Sequence, residues 1–276
     1  MLVVLLAYAA VGGVAGILAG LFGIGGGMVI IPMLVYGFAL QGVPQDIMMH
    51  LALATSMASI MFTAISSLLA HHRRGAVRWD IVRRITAGIL LGTLLGSTVA
   101  SRMPTAALKA FFVVFLYYVS YSLLFGKKPK PSRQLPGNLG MFGTGNLIGV
   151  VSSWVGIGGG TLSVPFMLWC NVPPHTAVGT SAAIGFPIAV AGTVGYIVNG
   201  LAVQGLPDWS IGFVYLPALA GIVAASVLTA PLGVRLAHAL PVDRLKRGFA
   251  VLLLVVATRS EEHPSELQSR FGSSYA

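Results

Sequence analysis

Two stretches decide how this chain folds: Phe22-Gly23-Ile24-Gly25-Gly26-Gly27 and Val155-Gly156-Ile157-Gly158-Gly159-Gly160. Each lies inside a long apolar segment, and each is followed by a proline at the same spacing, Pro32 and Pro165. Gly23 and Gly156 are 133 positions apart. The apolar run before the first cluster, Leu2 to Phe22, is long enough to cross a bilayer, rising about 31 Å as a helix. The run after it, Met28 to Leu40, rises only about 20 Å and is too short to span untilted. Each cluster therefore predicts a break at membrane depth followed by a half-helix whose N-terminus lies inside the protein. Irregular backbone at that depth is tolerated only where protein buries it or a cavity meets it.

Further matches extend the repeat. His50 with Thr55-Ser56 recurs as His175 with Thr180-Ser181, and Gly96, Pro104, Leu108, Lys109 and Phe112 recur as Gly233, Pro241, Leu245, Lys246 and Phe249. Three blocks in one order indicate duplication. The units are residues 1–126 and 138–258, joined by the basic, Pro-rich linker 127–137, an exposed connection.

Composition agrees with a membrane chain. Hydrophobic residues are 56% of the 276, charged residues only 9%, and mean hydropathy is +0.87. A soluble domain of this size could not hide so much apolar surface. The apolar segments run roughly over 2–40, 47–70, 81–101, 106–126, 138–170, 176–199, 210–234 and 244–258. The net charge of +10 sits in short runs between them, a pattern of membrane topology and not a nucleic-acid patch. The start has no basic n-region and reads as the first membrane segment. A single cysteine, Cys170, excludes an internal disulfide framework and a Cys-rich metal site. No cofactor is expected.

The tail from Arg259 to Ala276 holds all three glutamates, Glu261, Glu262 and Glu266, and interrupts an apolar helix after Thr258. Its sequence resembles the translation of a sequencing adapter, so it is read as non-native; a polar cytoplasmic tail is the other reading.

Loop charges speak to orientation. Loop 71–84 holds Arg73, Arg74, Arg78, Arg83 and Arg84, while its counterpart 200–209 holds no Lys or Arg. Loop 235–247 holds Arg235, Arg244, Lys246 and Arg247, against only Arg102 and Lys109 in 102–109. The basic side thus alternates between equivalent loops. The expected fold is an all-α polytopic membrane protein of two inverted, pseudo-symmetric repeats, each a glycine-broken first segment plus three spanning helices. Eight plain spans with parallel halves are the rival.

A half-helix N-terminus presents unpaired N–H groups and the positive end of a dipole, and glycine lets an anion approach them. The candidate substrate-binding residues are therefore Gly23, Gly25, Gly26, Gly27, Gly156, Gly158, Gly159 and Gly160, with Thr161 beginning the second half-helix. Close helix packing is the alternative use of such glycines. Thr55, Ser56, Thr180 and Ser181 join the candidates because a hydroxyl can donate to an oxyanion, though it can equally cap or bond back to a carbonyl. His50 and His175 could handle a proton or an anion, or be interfacial residues held by backbone. His71 and His72, beside Arg73-Arg74, read as solvated or headgroup-facing. Trp154, beside a cluster, could wall a cavity, and Cys170 reads as inert.

The two Gly-Ile-Gly-Gly-Gly blocks with their prolines, together with the two Thr-Ser pairs, resemble the TauE/SafE sulfite exporter family over nearly all of residues 1–258. The resemblance implies a multi-pass permease of the cell inner membrane that exports sulfite, sulfoacetate or another organosulfur anion. It places the glycines and the Thr-Ser pairs named above in the pore. The partners it implies are the small anion and the lipid bilayer; a homodimer is open, and no nucleic acid is expected. Two departures are the missing closing turns of the last helix and an extra Pro187, which could kink its helix. An embedded enzyme fits poorly, because Asp46, Asp80, Asp208 and Asp243 all lie in or beside loops and no carboxylate pair or HExxH occurs. An anion channel or a non-transporting membrane subunit remains as the alternative function.

Overall fold

In a computed structural model, residues 2–23, 25–125 and 133–239 are described, with parts of a further helical stretch between 248 and 258. The linker core 126–132, the loop 240–247 with its basic residues, and the tail from 259 lie outside the described residues, so the expectations for them are not addressed.

The glycine clusters break the chain where the sequence places the breaks. Helix α1 (Leu2–Phe22) stops at Gly23, and α2 (Gly27–Leu40) starts afresh from Gly26. In the second half α6 (Asn138–Val155) stops at Gly156, and α7 (Gly160–Trp169) starts from Gly159. The backbone explains why glycine is needed. Gly23 and Gly156 both have φ of 66°, and Gly26 and Gly159 have φ of 78° and 76°. These are left-handed conformations that cost a residue with a Cβ free energy and cost glycine little.

Each broken segment is a hairpin that returns to the end it came from. Tyr8, early in α1, receives a hydrogen bond from Gln41 Nε2 just beyond α2, at 2.7 Å. Arg133, just before α6, stacks 4.5 Å over the ring of Trp169 at the end of α7. Between and after the hairpins run α3 (Gln45–His72), α4 (Trp79–Ala100), α5 (Thr105–Phe125), α8 (Pro174–Gly200) and α9 (Leu216–Ala239). These five are long and apolar enough to cross a membrane. Pro187 stands inside α8, which continues as helix to Gly200.

One local expectation is corrected. The apolar run from 210 does not begin as helix: Ser210–Ile211 (β1) and Val214–Tyr215 (β2) pair antiparallel, and α9 starts only at Leu216. Trp209 and Gly212 have φ of 66° and 53°, incompatible with a right-handed helix.

The helices pack in matched pairs. α1 lies along α9 and α6 lies along α4, while α3 packs on α8 in the centre. A Cβ added to Gly12, Gly16 or Gly20 would sit 2.3, 2.4 or 2.1 Å from the carbonyl oxygens of Ile222, Ser226 and Ala230. The register rises together, so α1 and α9 run in the same direction. On the other pair, a Cβ on Gly145 or Gly149 would sit 2.5 or 2.6 Å from the carbonyls of Ile85 and Ile89. Small residues let these backbones touch, which is how helices associate where water gives no driving force.

Candidate functional site

The two glycine breaks meet. A Cβ built on Gly25 would lie 3.4 Å from Gly158 Cα, and one on Gly27 only 2.1 Å from the carbonyl oxygen of Gly156. The N-termini of α2 and α7 thus converge on one place from opposite hairpins. Both carry the positive end of a helix dipole, and their first amides have no acceptor within the helix.

The Thr-Ser pairs hold the breaks in reciprocal fashion. Ser56 Oγ donates to Gly156 O at 2.9 Å, and Ser181 Oγ donates to Gly23 O at 2.9 Å. Thr55 Oγ1 accepts the backbone N–H of Tyr215 at 3.0 Å, and Thr180 Oγ1 accepts that of Arg78 at 3.0 Å. All four side chains are buried. The serine protons go to carbonyls, whereas each threonine hydroxyl still has its own proton to give.

The halves differ in what surrounds this core. Thr161 Oγ1 beside the N-terminus of α7, with Ser152 Oγ and Ser163 Oγ, is buried and has no hydrogen-bond partner among the described residues. Their counterparts in the first half are Met28, Ala19 and Ile30, all apolar. Ser152 and Ser163 were not among the sequence candidates; a hydroxyl opposite an apolar residue in a duplicated chain is the signal that could have found them.

A small cavity opens beside the first break, lined by Ala19, Gly23, Gly25, Ile60, Ala64, Ser67, Ala182 and Gly185. At about 10 Å³ it has room for one water at most. Across the repeat, the place of Ala182 is taken by Met57, whose sulfur packs 3.1 Å from where a Cβ on Gly192 would be. None of the four Thr-Ser residues lines this cavity.

The histidines separate. His50 is buried, its Nε2 within 3.2 Å of Ala100 O and 3.1 Å of Met103 O, and its ring stacks 5.2 Å from Phe213. Those carbonyls anchor the end of α4 to α3, away from the breaks. His175 is exposed at the start of α8. The expectation for His71 is corrected. It is 1% exposed, not solvated, and its Nε2 donates to Gly20 O at 3.2 Å. His72 is exposed as expected. Trp154 donates to Gly96 O at 2.9 Å and meets Phe111 edge-on, so it braces α6 on α4 and α5. Cys170 is buried.

Similar proteins match much or nearly all of the chain's sequence. A family described as sulfite exporter TauE/SafE matches residues 8–260. The chain belongs to the TauE/SafE sulfite exporter family. It is 39% identical over 248 residues to a probable membrane transporter protein of Haemophilus influenzae, covering 90% of this chain and 94% of that one. A probable membrane transporter protein, YunE, of Bacillus subtilis is 29% identical over 68% of this chain and 76% of its own length. Another, from Methanocaldococcus jannaschii, is 27% identical over 82% and 84%. No solved structure matches. As a TauE/SafE member with five helices long enough to span among the described residues, this is a multi-pass membrane transporter.

Proposed function

We propose that this TauE/SafE transporter exports a small anion, such as sulfite, sulfoacetate or another organosulfur anion, across the inner membrane by alternating access. The anion is held where the N-termini of α2 and α7 converge. The two halves are inverted repeats, and the site lies on their pseudo-two-fold axis.

The observation that carries this reading is the reciprocal pair of bonds, Ser56 to Gly156 and Ser181 to Gly23. Each half braces the other's break by the same contact. The threonine bonds to Tyr215 and Arg78 repeat the correspondence, since these residues precede equivalent helices. So does the packing of α1 on α9 and α6 on α4. Inversion is supported by the ends of the hairpins. Tyr8, Gln41 and Tyr215 are linked at one end. Arg84 reaches Asn138 and Pro136 where α4 and α6 begin, at the arginine-rich end. That end is the cytoplasmic one by its charge.

Neutral backbone supplies the attraction for an anion here, since the apolar stretches forming the breaks contain no Lys or Arg. Gly25 and Gly158 leave no room for an anion between them, so the hairpins must part to admit one. On the outside, Val114, Tyr118, Tyr121 and Phe125 form an exposed apolar face of α5, suited to lipid or to a second copy in a homodimer.

Saturable counterflow of radiolabelled sulfite or sulfoacetate in proteoliposomes tests the carrier reading. A carrier exchanges label against an internal pool. Flux that neither saturates nor shows counterflow would establish a channel, and no flux of either anion would remove the substrate class.

A further inference from the structure

The two breaks are equivalent by sequence, yet their surroundings differ in polarity. Ser152, near the end of α6, and Ser163, one turn into α7, are both 0% exposed, and neither hydroxyl has a hydrogen-bond partner among the described residues. A buried hydroxyl left unpaired costs free energy, and serines inside helices ordinarily bond back to a carbonyl of the preceding turn. Ser153, beside Ser152, does so: its Oγ donates to Val150 O at 2.7 Å. The positions of the first half that match Ser152 and Ser163 are Ala19 and Ile30. Duplication therefore does not account for the pair.

Both serines belong to the start of α7. Ser152 Oγ lies 3.5 Å from where a Cβ on Gly159 would be, and Gly159 is the residue from which α7 springs. Ser163 stands four residues beyond Gly159 and shares that face of the helix; its N–H donates to Gly159 O at 2.8 Å. Thr161 lies about 200° round the helix from Ser163 and belongs to another face. The N–H groups of Gly160 and Thr161, first in the helix, have no acceptor within it. Two hydroxyls and the first amides of α7 thus gather around Gly159, at the positive end of the helix dipole.

The wall of this place can yield, and that of its counterpart cannot. The space beside Gly159 is closed by Ile188 Cδ1, which a Cβ there would strike, with Ile148 Cγ2 at 3.4 Å. Cδ1 is the far end of a flexible side chain, which a change of rotamer carries away. The space beside Gly26, from which α2 springs, is closed by the carbonyl oxygen of Ala15, 2.6 Å from a Cβ there. That is helix backbone, and no rotamer moves it.

We propose that Ser152 and Ser163 are the side-chain donors of the anion site, so that the anion is anchored to the second hairpin at the N-terminus of α7, with the first break as the facing wall. This rests on the anion reading above and assigns the donors within it. Ile188 turns aside as the hairpins part, and the two serine protons, unused until then, go to the anion. Donors on separate elements, α6 and α7, suit an oxoanion, which accepts at separate oxygens. Hydroxyls and amides hold it without a buried cation, which would be expensive to place inside a membrane protein.

The test is calorimetric titration of the full chain in detergent with sulfite and, separately, with sulfoacetate, alongside thermal unfolding without either anion. Ser152→Ala and Ser163→Ala should each weaken binding by about tenfold. Neither should lower the melting temperature of the anion-free protein, since each removes a hydroxyl that has no partner there. Either variant suffices if the other does not fold. Ser153→Ala, which removes a hydroxyl already bonded within α6, should keep wild-type affinity. Wild-type affinity in both Ser152→Ala and Ser163→Ala overturns the assignment and leaves the anion reading standing, and so does an affinity loss that Ser153→Ala matches. Binding of neither anion by wild type overturns the assignment together with the substrate class of that reading.

Discussion

Ser56 Oγ donates to Gly156 O at 2.9 Å, reaching across the molecule to pin the break of the opposite half. Ser181 returns the same bond to Gly23. Ser56→Ala and Ser181→Ala should each lower stability by about 0.5–1.5 kcal/mol, the net worth of a buried hydrogen bond, and by similar amounts. Thermal unfolding in detergent measures this. A loss confined to one variant would show that the two breaks are not braced alike.

Thr55→Val and Thr180→Val remove an acceptor at nearly constant volume. Each leaves a backbone N–H unpaired, that of Tyr215 or Arg78. The expected cost is about 1–3 kcal/mol of stability. If either hydroxyl also gives its proton to the anion, affinity drops as well, which ligand-induced shifts in melting temperature would reveal. Stability lost with affinity intact would make the threonines structural only.

The helix pairs make a steric prediction. Gly16→Ala and Gly149→Ala force a methyl group to within 2.4 and 2.6 Å of facing carbonyls. Each should cost about 1–3 kcal/mol through overpacking. Gly13→Ala and Gly143→Ala meet nothing within 4 Å, and should change stability by less than about 1 kcal/mol. Equal effects of the two groups would contradict the packing of α1 on α9 and α6 on α4.

Topology can be read by cysteine labelling, since Cys170 is buried and should give little background. Arg78→Cys and Gln204→Cys both fall outside the helices. Labelling of intact cells should find residue 78 on the cytoplasmic side and residue 204 on the opposite side. Labelling of both from one side would contradict the orientation drawn from the basic loops.

Much of this arrangement is visible in the sequence because glycine leaves a trace that composition cannot mimic. The left-handed φ at Gly23, Gly25, Gly26, Gly156 and Gly159 and the approach of Gly27 to the Gly156 carbonyl, 2.1 Å from where a Cβ would sit, both call for a residue without a Cβ. Duplication then turns one weak signal into two at matched positions. Hydrogen-bond partners were not legible. Nothing local to Ser56 says that its proton goes to Gly156, a hundred positions away; only the packing of α3 against the other hairpin decides it. His71 was misread because its neighbours Arg73 and Arg74 are solvated, whereas its own helical face is that of Ser67 and Thr63. The hairpin at 210–215 was hidden in hydropathy, because Ile211, Phe213, Val214 and Tyr215 look like the helix that follows them.

The central claim is that an anion binds where the two glycine breaks converge. The most direct test is a structure determined with selenite, an anomalously scattering analogue of sulfite, at saturating concentration. The anomalous peak should lie between Gly23–Gly27 and Gly156–Gly160, within hydrogen-bonding distance of the first amides of α2 or α7, with Gly25 and Gly158 drawn apart. A peak at another place in the membrane region, with the two breaks still in contact, would contradict it.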